Sequence, residues 1–206
     1  MQKRMMKKKF KKKMTRLYDE YLSSDPYRPM IEYIKYNMND KPLIGVEVGV
    51  SGGSHARNIL KHLNVKHLYL IDPYDEFESY YFKKEYNNFK EQSSKKLHRH
   101  RDKITFIYKR SVDAKEDLPD AIDFVYLDGD HSYENVKKEI ELFYPKMVEG
   151  GVLGGHDFRT DRSTPFGVIQ AALEFSDKKN LHLWVGGNKG DWWCIKGDKK
   201  IKGVDP

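Results

Sequence analysis

Cysteine is almost missing from this chain: Cys194 is the only one in 206 residues. One thiol excludes an internal disulfide framework and any zinc cluster built on cysteines. Long apolar runs are missing as well, and nothing approaches the roughly 18 residues needed to cross a bilayer. No apolar segment follows the basic N-terminus, so it does not read as a secretory signal. These absences lead to the expectation of a soluble, cytoplasmic protein. Acidic residues are missing from one segment only. Residues 1–13, MQKRMMKKKFKKK, hold eight Lys or Arg and no Asp or Glu. The whole chain has 38 basic residues against 31 acidic, a net of +7, so the other 193 residues hold 30 against 31, a net of −1. The basicity that suggests a polyanionic partner is therefore concentrated in a terminal extension.

What is present is a repeated alternation of strand and helix. After the tail, Leu17, Tyr18, Tyr21 and Leu22 mark one short helical pattern. Met30, Ile31, Ile34 and Met38, behind Pro29, mark a second. From Leu43 onward LIGVEVGV reads as a buried strand, SHARNILKHL as a helix and HLYLID as a second strand. A long aromatic, lysine-rich stretch from Phe77 to about Lys96 reads as helix, ITFIYK as strand three and IDFVYLD as strand four. Tyr133, Val136, Ile140, Phe143, Tyr144 and Met147 then form one apolar helical stripe. Gly150-Gly151 reads as a turn into strand five, VLGGHD, and a helix is expected from about Pro165 to Phe175. LHLWVGG and DWWCIK close the chain as a β-hairpin. Five strand–helix repeats predict an α/β fold: a doubly wound, mainly parallel sheet with helices on both faces and a C-terminal antiparallel hairpin strand. The division expected is a basic tail over 1–13, N-terminal helices packed on the core over 14–42, and one Rossmann-like domain over 43–206.

In such a sheet, ligands bind beyond the carboxyl ends of the strands. The first strand ends in Glu47-Val48-Gly49-Val50-Ser51-Gly52-Gly53. A dinucleotide fingerprint has glycine where Glu47 stands, because pyrophosphate needs bare backbone and no nearby negative charge. A carboxylate there repels phosphate and suits a cation, while the glycines still allow close backbone approach. The turn is suited to a nucleoside that carries an ammonium group and no phosphate, and S-adenosylmethionine fits that description. Asp72, which ends the second strand, is placed to accept hydrogen bonds from ribose hydroxyls.

Together, VEVGVSGG, LYLIDPYD, DFVYLDGDHSYENVKKEIELFYPKMVEGGVLGGHDF and DWWCIK resemble the class I S-adenosylmethionine-dependent methyltransferases. Within them they resemble the bacterial and archaeal subgroup with a DGDHSY signature after strand four. The resemblance covers about residues 43–196. It implies a seven-stranded sheet whose last strand is antiparallel. It also implies that Glu47, Gly49 and Gly53 face the methionine part of the cofactor, with Ser51 where many members have a further glycine. Asp72 would hold the ribose, Ser111 and Val112 would contact adenine, and Asp128 would border the cofactor.

Methyl transfer needs an acceptor held in line and shielded from water, and a hydroxyl acceptor must also lose its proton. Asp128, Asp130 and His131 follow strand four, and His156 and Asp157 follow strand five. Asp128 and Asp157 can share a divalent cation such as Mg²⁺, and His156 can add a nitrogen ligand that shifts the preference toward Mn²⁺ or Zn²⁺. Alternation along a strand argues against His156 and Asp157 reaching one ion together. Without a metal, His131 or His156 is the candidate base. Asp130 and Ser132 have a simpler reading as helix caps.

The expected activity is methylation of a small-molecule or glycan hydroxyl. Two alternatives stay open: an RNA methyltransferase whose tail contacts phosphates, and a non-catalytic binding protein on the same fold. Residues 1–13 can meet nucleic acid or an anionic membrane, and a homo-oligomer is compatible with the sequence. The aromatic run from Phe77 reads as an amphipathic helix packed on the sheet, with a lid over the site as the alternative. The basic turn His98–Arg101 reads as solvated surface. One of Trp192 and Trp193 is expected in the core, and the other could line the acceptor mouth. The polar loop Arg159–Thr164 reads equally as a contact for an anionic acceptor or as surface.

Overall fold

The four central strands are apolar because helices cover both of their faces. β1 (Leu43–Val48), β2 (Val65–Ile71), β4 (Ile122–Leu127) and β5 (Met147–Gly155) are parallel, with β3 (Ile104–Ile107) at one edge. β7 (Asp191–Ile195) runs antiparallel to β5 and pairs with the short edge strand β6 (Trp184–Gly186). The order is β3-β2-β1-β4-β5-β7-β6 in one seven-stranded sheet, as expected. The computed structural model describes residues 28–74, 83–159, 166–187 and 190–200. The tail, the helical pattern at Leu17–Leu22, the aromatic run Phe77–Phe82, most of the loop after Arg159, and Asn188 and Lys189 lie outside them.

The helices are α1 (Pro29–Asn37), α2 (Ser54–His62), α3 (Lys83–Leu97), α4 (Tyr133–Phe143) and α5 (Gly167–Lys179). Two apolar layers result. Val46, Val125, Leu153, Ile140, Phe143 and Trp192 belong to one, and Leu68, Leu70, Phe124, Tyr126, Ile34 and Trp193 to the other. Alternation along β7 puts Trp192 and Trp193 in opposite layers, and both are buried. With both rings in the core, neither lines an open acceptor mouth; Trp192 packs behind His131, Glu139 and His156. Among the described residues, no helix is long and apolar enough to cross a membrane.

Two boundaries differ from expectation. Gly150-Gly151 lies inside β5: Gly150 takes φ +77° and the register with β4 slips between the Ile122–Met147 and Phe124–Val152 pairs. What reads as a turn is a bulge, which glycine permits. The α4 stripe also ends early, because Pro145 has no amide hydrogen for a continuing helix. Tyr144–Lys146 form a 3₁₀ turn, and Met147 opens β5.

Candidate active site

The carboxyl ends of β1, β4 and β5 are laced together by backbone. Asp128 N donates to Val48 O at 2.8 Å, and His156 N donates to Leu127 O at 3.0 Å. The turn after β1 lies directly on this seam. Gly49 has φ +83°, and a Cβ on it would stand 2.1 Å from the Asp128 carbonyl oxygen, so no other residue fits. The glycine turn and the strand-four cluster therefore share one wall.

Glu47 is completely buried. Its Oε1 lies 3.3 Å from His55 Nδ1, whereas among the described residues its Oε2 and His55 Nε2 have no hydrogen-bond partner. Burial pushes the Glu47 carboxyl above its ordinary range, against the opposing pull of His55. An unmatched buried acceptor beside an unmatched imidazole nitrogen is costly when empty. It matches the ammonium and carboxylate of an amino-acid group, so the residues present fit the methionine end of S-adenosylmethionine. His55 was not singled out in the sequence. The available signal was its place in the first turn of α2, facing back toward the end of β1.

Asp72 holds the loop. Its Oδ2 accepts from the amides of Val50 at 3.0 Å and Ser51 at 2.8 Å, and its Oδ1 accepts from Tyr74 N at 3.0 Å. The carboxylate expected at the ribose is thus also what shapes the turn. Ser111 opens a 3₁₀ turn after β3, and its hydroxyl donates to Glu139 Oε1 at 2.6 Å. Val112 beside it is 42% exposed, an open apolar surface of the kind a purine ring can cover.

The histidines and aspartates converge. His156 Nδ1 lies 3.4 Å from Asp128 Oδ1 and 3.2 Å from Asp157 Oδ2. His131 Nδ1 lies 3.2 Å from Asp157 Oδ2, and its Nε2 lies 3.6 Å from Asp128 Oδ1. The three groups whose ligand atoms converge do not include His156, in keeping with the alternation argument. His156 still meets the Asp157 carboxylate for a local reason. Asp157 takes φ +59°, so the chain has left the strand where its side chain departs. A left-handed non-glycine residue beside a polar cluster is the kind of strain found at functional sites.

Burial disfavours the Asp128 carboxylate, but the neighbouring imidazoles of His131 and His156 and the charge of Arg28 outweigh it. They hold Asp128 well below the usual carboxylate range. Asp157 is lowered against its own burial, chiefly by His156. The nearby Asp128 carboxylate raises His131, and burial, which lowers His156, is outweighed by Asp128 and Asp157, which raise it. Asp128, His131 and Asp157 each offer a ligand atom within 4.8 Å of the others. Two carboxylate oxygens and an imidazole nitrogen form a donor set that fits a divalent cation. His131 thus joins the converging trio in the place expected of His156, which touches the same carboxylates.

Ser132 precedes α4 but makes no side-chain cap bond; Asp130 Oδ1 accepts from Ser132 N at 2.9 Å instead. Asp130 is thereby occupied in a structural turn. Two further regions, of about 340 and 530 Å³, involve α4 residues such as Lys137 and Leu142 and touch none of the site residues apart from Val112.

Strand order, glycine turn and strand-end cluster together define a class I S-adenosylmethionine-dependent methyltransferase fold. Residues 46–158, 113 of the 206, match the methyltransferase-domain family, and the chain belongs to it. A relative from Acanthamoeba polyphaga mimivirus, described only as an uncharacterised protein, is 25% identical over 141 residues, which is 66% of this chain and 61% of that one. The chain therefore spans less than two thirds of that relative.

Among solved structures, a Staphylococcus aureus protein provisionally assigned as a caffeoyl-CoA O-methyltransferase superposes with TM-score 0.61. It is 16% identical, with 90% of this chain and 91% of that chain covered. A TDP-rhamnose 3′-O-methyltransferase of calicheamicin biosynthesis gives TM-score 0.58 at 16% identity, over 82% and 77% of the two chains. An rRNA methylase from Streptococcus thermophilus gives 0.57 at 13%, over 82% and 94%. At these identities the likeness is one of fold.

Proposed function

We propose that this chain methylates a hydroxyl of a small molecule or sugar, using S-adenosylmethionine and a divalent cation. The observation that carries this reading is the convergence of Asp128, His131, His156 and Asp157 on the wall shared with the glycine turn. S-adenosylmethionine brings an electrophilic methyl group on sulfur, and a cation beside the acceptor lowers the hydroxyl's pKa. The chain's own residues do the rest. Gly49 and Gly53 admit the cofactor backbone-close, Glu47 and His55 match its amino-acid end, and Asp72 keeps the turn in shape. Asp128, His131 and Asp157 would hold the cation. His156, between the same two carboxylates, is positioned to take the acceptor's proton once neutral. The two O-methyltransferase structures of similar fold support this choice of acceptor.

The test combines binding with turnover. Titration calorimetry with S-adenosylhomocysteine should show binding that EDTA leaves intact, and Mn²⁺ should bind separately. Asp128→Asn should cut turnover on an acceptor panel of catechols, hydroxycinnamoyl esters and nucleotide sugars by about 100-fold, with cofactor affinity largely kept. No heat with S-adenosylhomocysteine would sink the methyltransferase reading. Full turnover in both EDTA and the Asp128→Asn protein would remove the metal from it.

One observation favours a second reading, in which the acceptor is RNA. Outside the tail the net charge of −1 is not evenly spread. Residues 88–110 hold eight Lys or Arg against two acidic residues, a net of +6. Residues 14–87 and 111–206 together hold 22 against 29, a net of −7. The basic stretch borders the β3 edge, where Tyr108 is 48% exposed and stacks on Phe106 at an interplanar angle of 8°. An exposed ring among cations suits stacked bases and phosphates. Residues 1–13 would add further phosphate contacts.

A further inference from the structure

The turn after β1 contains one residue unsuited to its backbone. Ser51 sits at φ +47°, in the left-handed region that glycine enters freely and that strains other residues. Its neighbours hold it there from both sides. On the amide side, Asp72 Oδ2 accepts from Val50 N and Ser51 N at 3.0 and 2.8 Å. On the carbonyl side, Tyr74 Oη lies 2.9 Å from Ser51 O. A carbonyl can only accept, so the phenol donates. Burial keeps the phenol protonated by pushing its pKa upward.

Tyr74 is itself anchored. It also takes φ +47°, and its amide donates to Asp72 Oδ1 at 3.0 Å. Its Oη also lies 2.9 Å from Ser93 Oγ on α3. With its one hydrogen on Ser51 O, the phenol accepts from the Ser93 hydroxyl, whose other reachable acceptor is Lys90 O at 2.9 Å. Ser93 in turn backs the turn directly, since a Cβ on Gly53 would stand 3.1 Å from the Ser93 Cα. Asp72, Tyr74 and Ser93 thus form a brace joining the end of β2 and the middle of α3 to the turn.

We propose that Tyr74 is a positioning residue for cofactor binding, whose hydroxyl holds Ser51 in the backbone shape that a glycine would adopt unaided. The proposal rests on the reading that this turn receives S-adenosylmethionine. It makes a specific demand. If the hydroxyl matters because residue 51 is strained, relieving the strain makes the hydroxyl dispensable. General packing by the Tyr74 ring makes no such demand, because phenylalanine keeps the ring.

The test is a double-mutant cycle on the full chain. Tyr74→Phe should weaken S-adenosylhomocysteine binding by about tenfold, the size of one lost buried hydrogen bond. In the Ser51→Gly background the same change should cost less than about twofold. With a methyl acceptor in hand, Tyr74→Phe should raise KM for S-adenosylmethionine and leave kcat near its starting value. The second readout needs no ligand. Tyr74→Phe should speed hydrogen exchange at the Val50 amide by about tenfold, and Ser51→Gly should suppress that acceleration.

An equal loss of affinity in both backgrounds, or Val50 exchange that ignores Tyr74→Phe, overturns the proposal. Failure of the unaltered chain to bind S-adenosylhomocysteine overturns the cofactor reading instead. The Val50 exchange cycle then still decides whether the brace exists.

Discussion

Glu139 shows how one side chain can set the pH response of this protein. It lies on α4 between Val136 and Ile140, on the face turned to the sheet, and is 3% exposed. Burial pushes its carboxyl up to about 7, against the Ser111 hydroxyl bond. The folded pKa lies above the unfolded one, so between about 4.5 and 7 the folded state keeps a proton that the unfolded chain has released. Stability therefore falls as pH rises through that window, by up to about 3 kcal/mol, and is level above it. Glu139→Gln keeps an acceptor for Ser111 and removes the titration. Urea unfolding should find it close to wild type at pH 5 and about 2 kcal/mol more stable at pH 8. Parallel profiles for the two proteins would contradict this account. Because Ser111 sits where the family resemblance puts adenine, a matching pH trend in S-adenosylhomocysteine affinity is expected.

At the scale of elements, α1 is joined to the sheet by a buried ion pair as well as by Met30, Ile31 and Ile34. Arg28 Nη1 donates to Asp191 Oδ1 at 3.1 Å, Met30 N to Asp191 Oδ2 at 3.4 Å, and the Tyr126 hydroxyl to Asp191 Oδ1 at 2.9 Å. Arg28 Nη2 also lies 3.7 Å from Asp128 Oδ2, so the docking of α1 reaches the strand-end cluster. Removing one member of a buried pair leaves the other uncompensated. Arg28→Met should cost about 3 kcal/mol in urea unfolding, and adding Asp191→Asn should recover at least half of it. A single-mutant cost under about 1 kcal/mol would show that the apolar contacts hold α1 alone.

The apolar face of α1 was legible, but the ion pair was not. Asp191 reads as the polar start of a hairpin strand, and Arg28 stands in an unpatterned segment. What else was legible follows from the physics of parallel sheets. β1, β2 and β4 are covered on both faces and stand out as apolar runs, and β1's run leads straight into its glycines. Asp128, His131, His156 and Asp157 could be placed because they follow β4 and β5. Their geometry could not, since it depends on the left-handed backbone at Asp157. The bulge at Gly150 was hidden for a related reason, because Gly-Gly is as compatible with a bulge as with a turn.

For the molecule as a whole, the distribution of charge carries more information than its total. The net of +7 combines a tail at +8, a flank at +6 and a remainder at −7. β3 is the edge strand, three strands from β4 in the sheet order. At about 4.8 Å per strand, the basic flank stands roughly 14 Å from the end of β4 and its side-chain cluster. A single strand lying along the flank would be repelled by the acidic remainder and guided along one edge. Each phosphate contact to a single strand contributes about 0.7 to the slope of log K against log salt. A chain beginning at Met14 should therefore still bind a uridine oligonucleotide with a clear salt dependence. Changing Arg99, Arg101 and Lys103 together to serine should then lower the slope by about 2. The three lie in and beside the 3₁₀ turn before β3, where their heads are solvent-facing, so the fold should tolerate the change. If removing residues 1–13 abolishes binding outright, the flank is solvated surface and the tail alone carries the RNA contacts; if the full chain itself shows no salt-dependent binding, RNA loses its place as acceptor and the small-molecule reading stands alone.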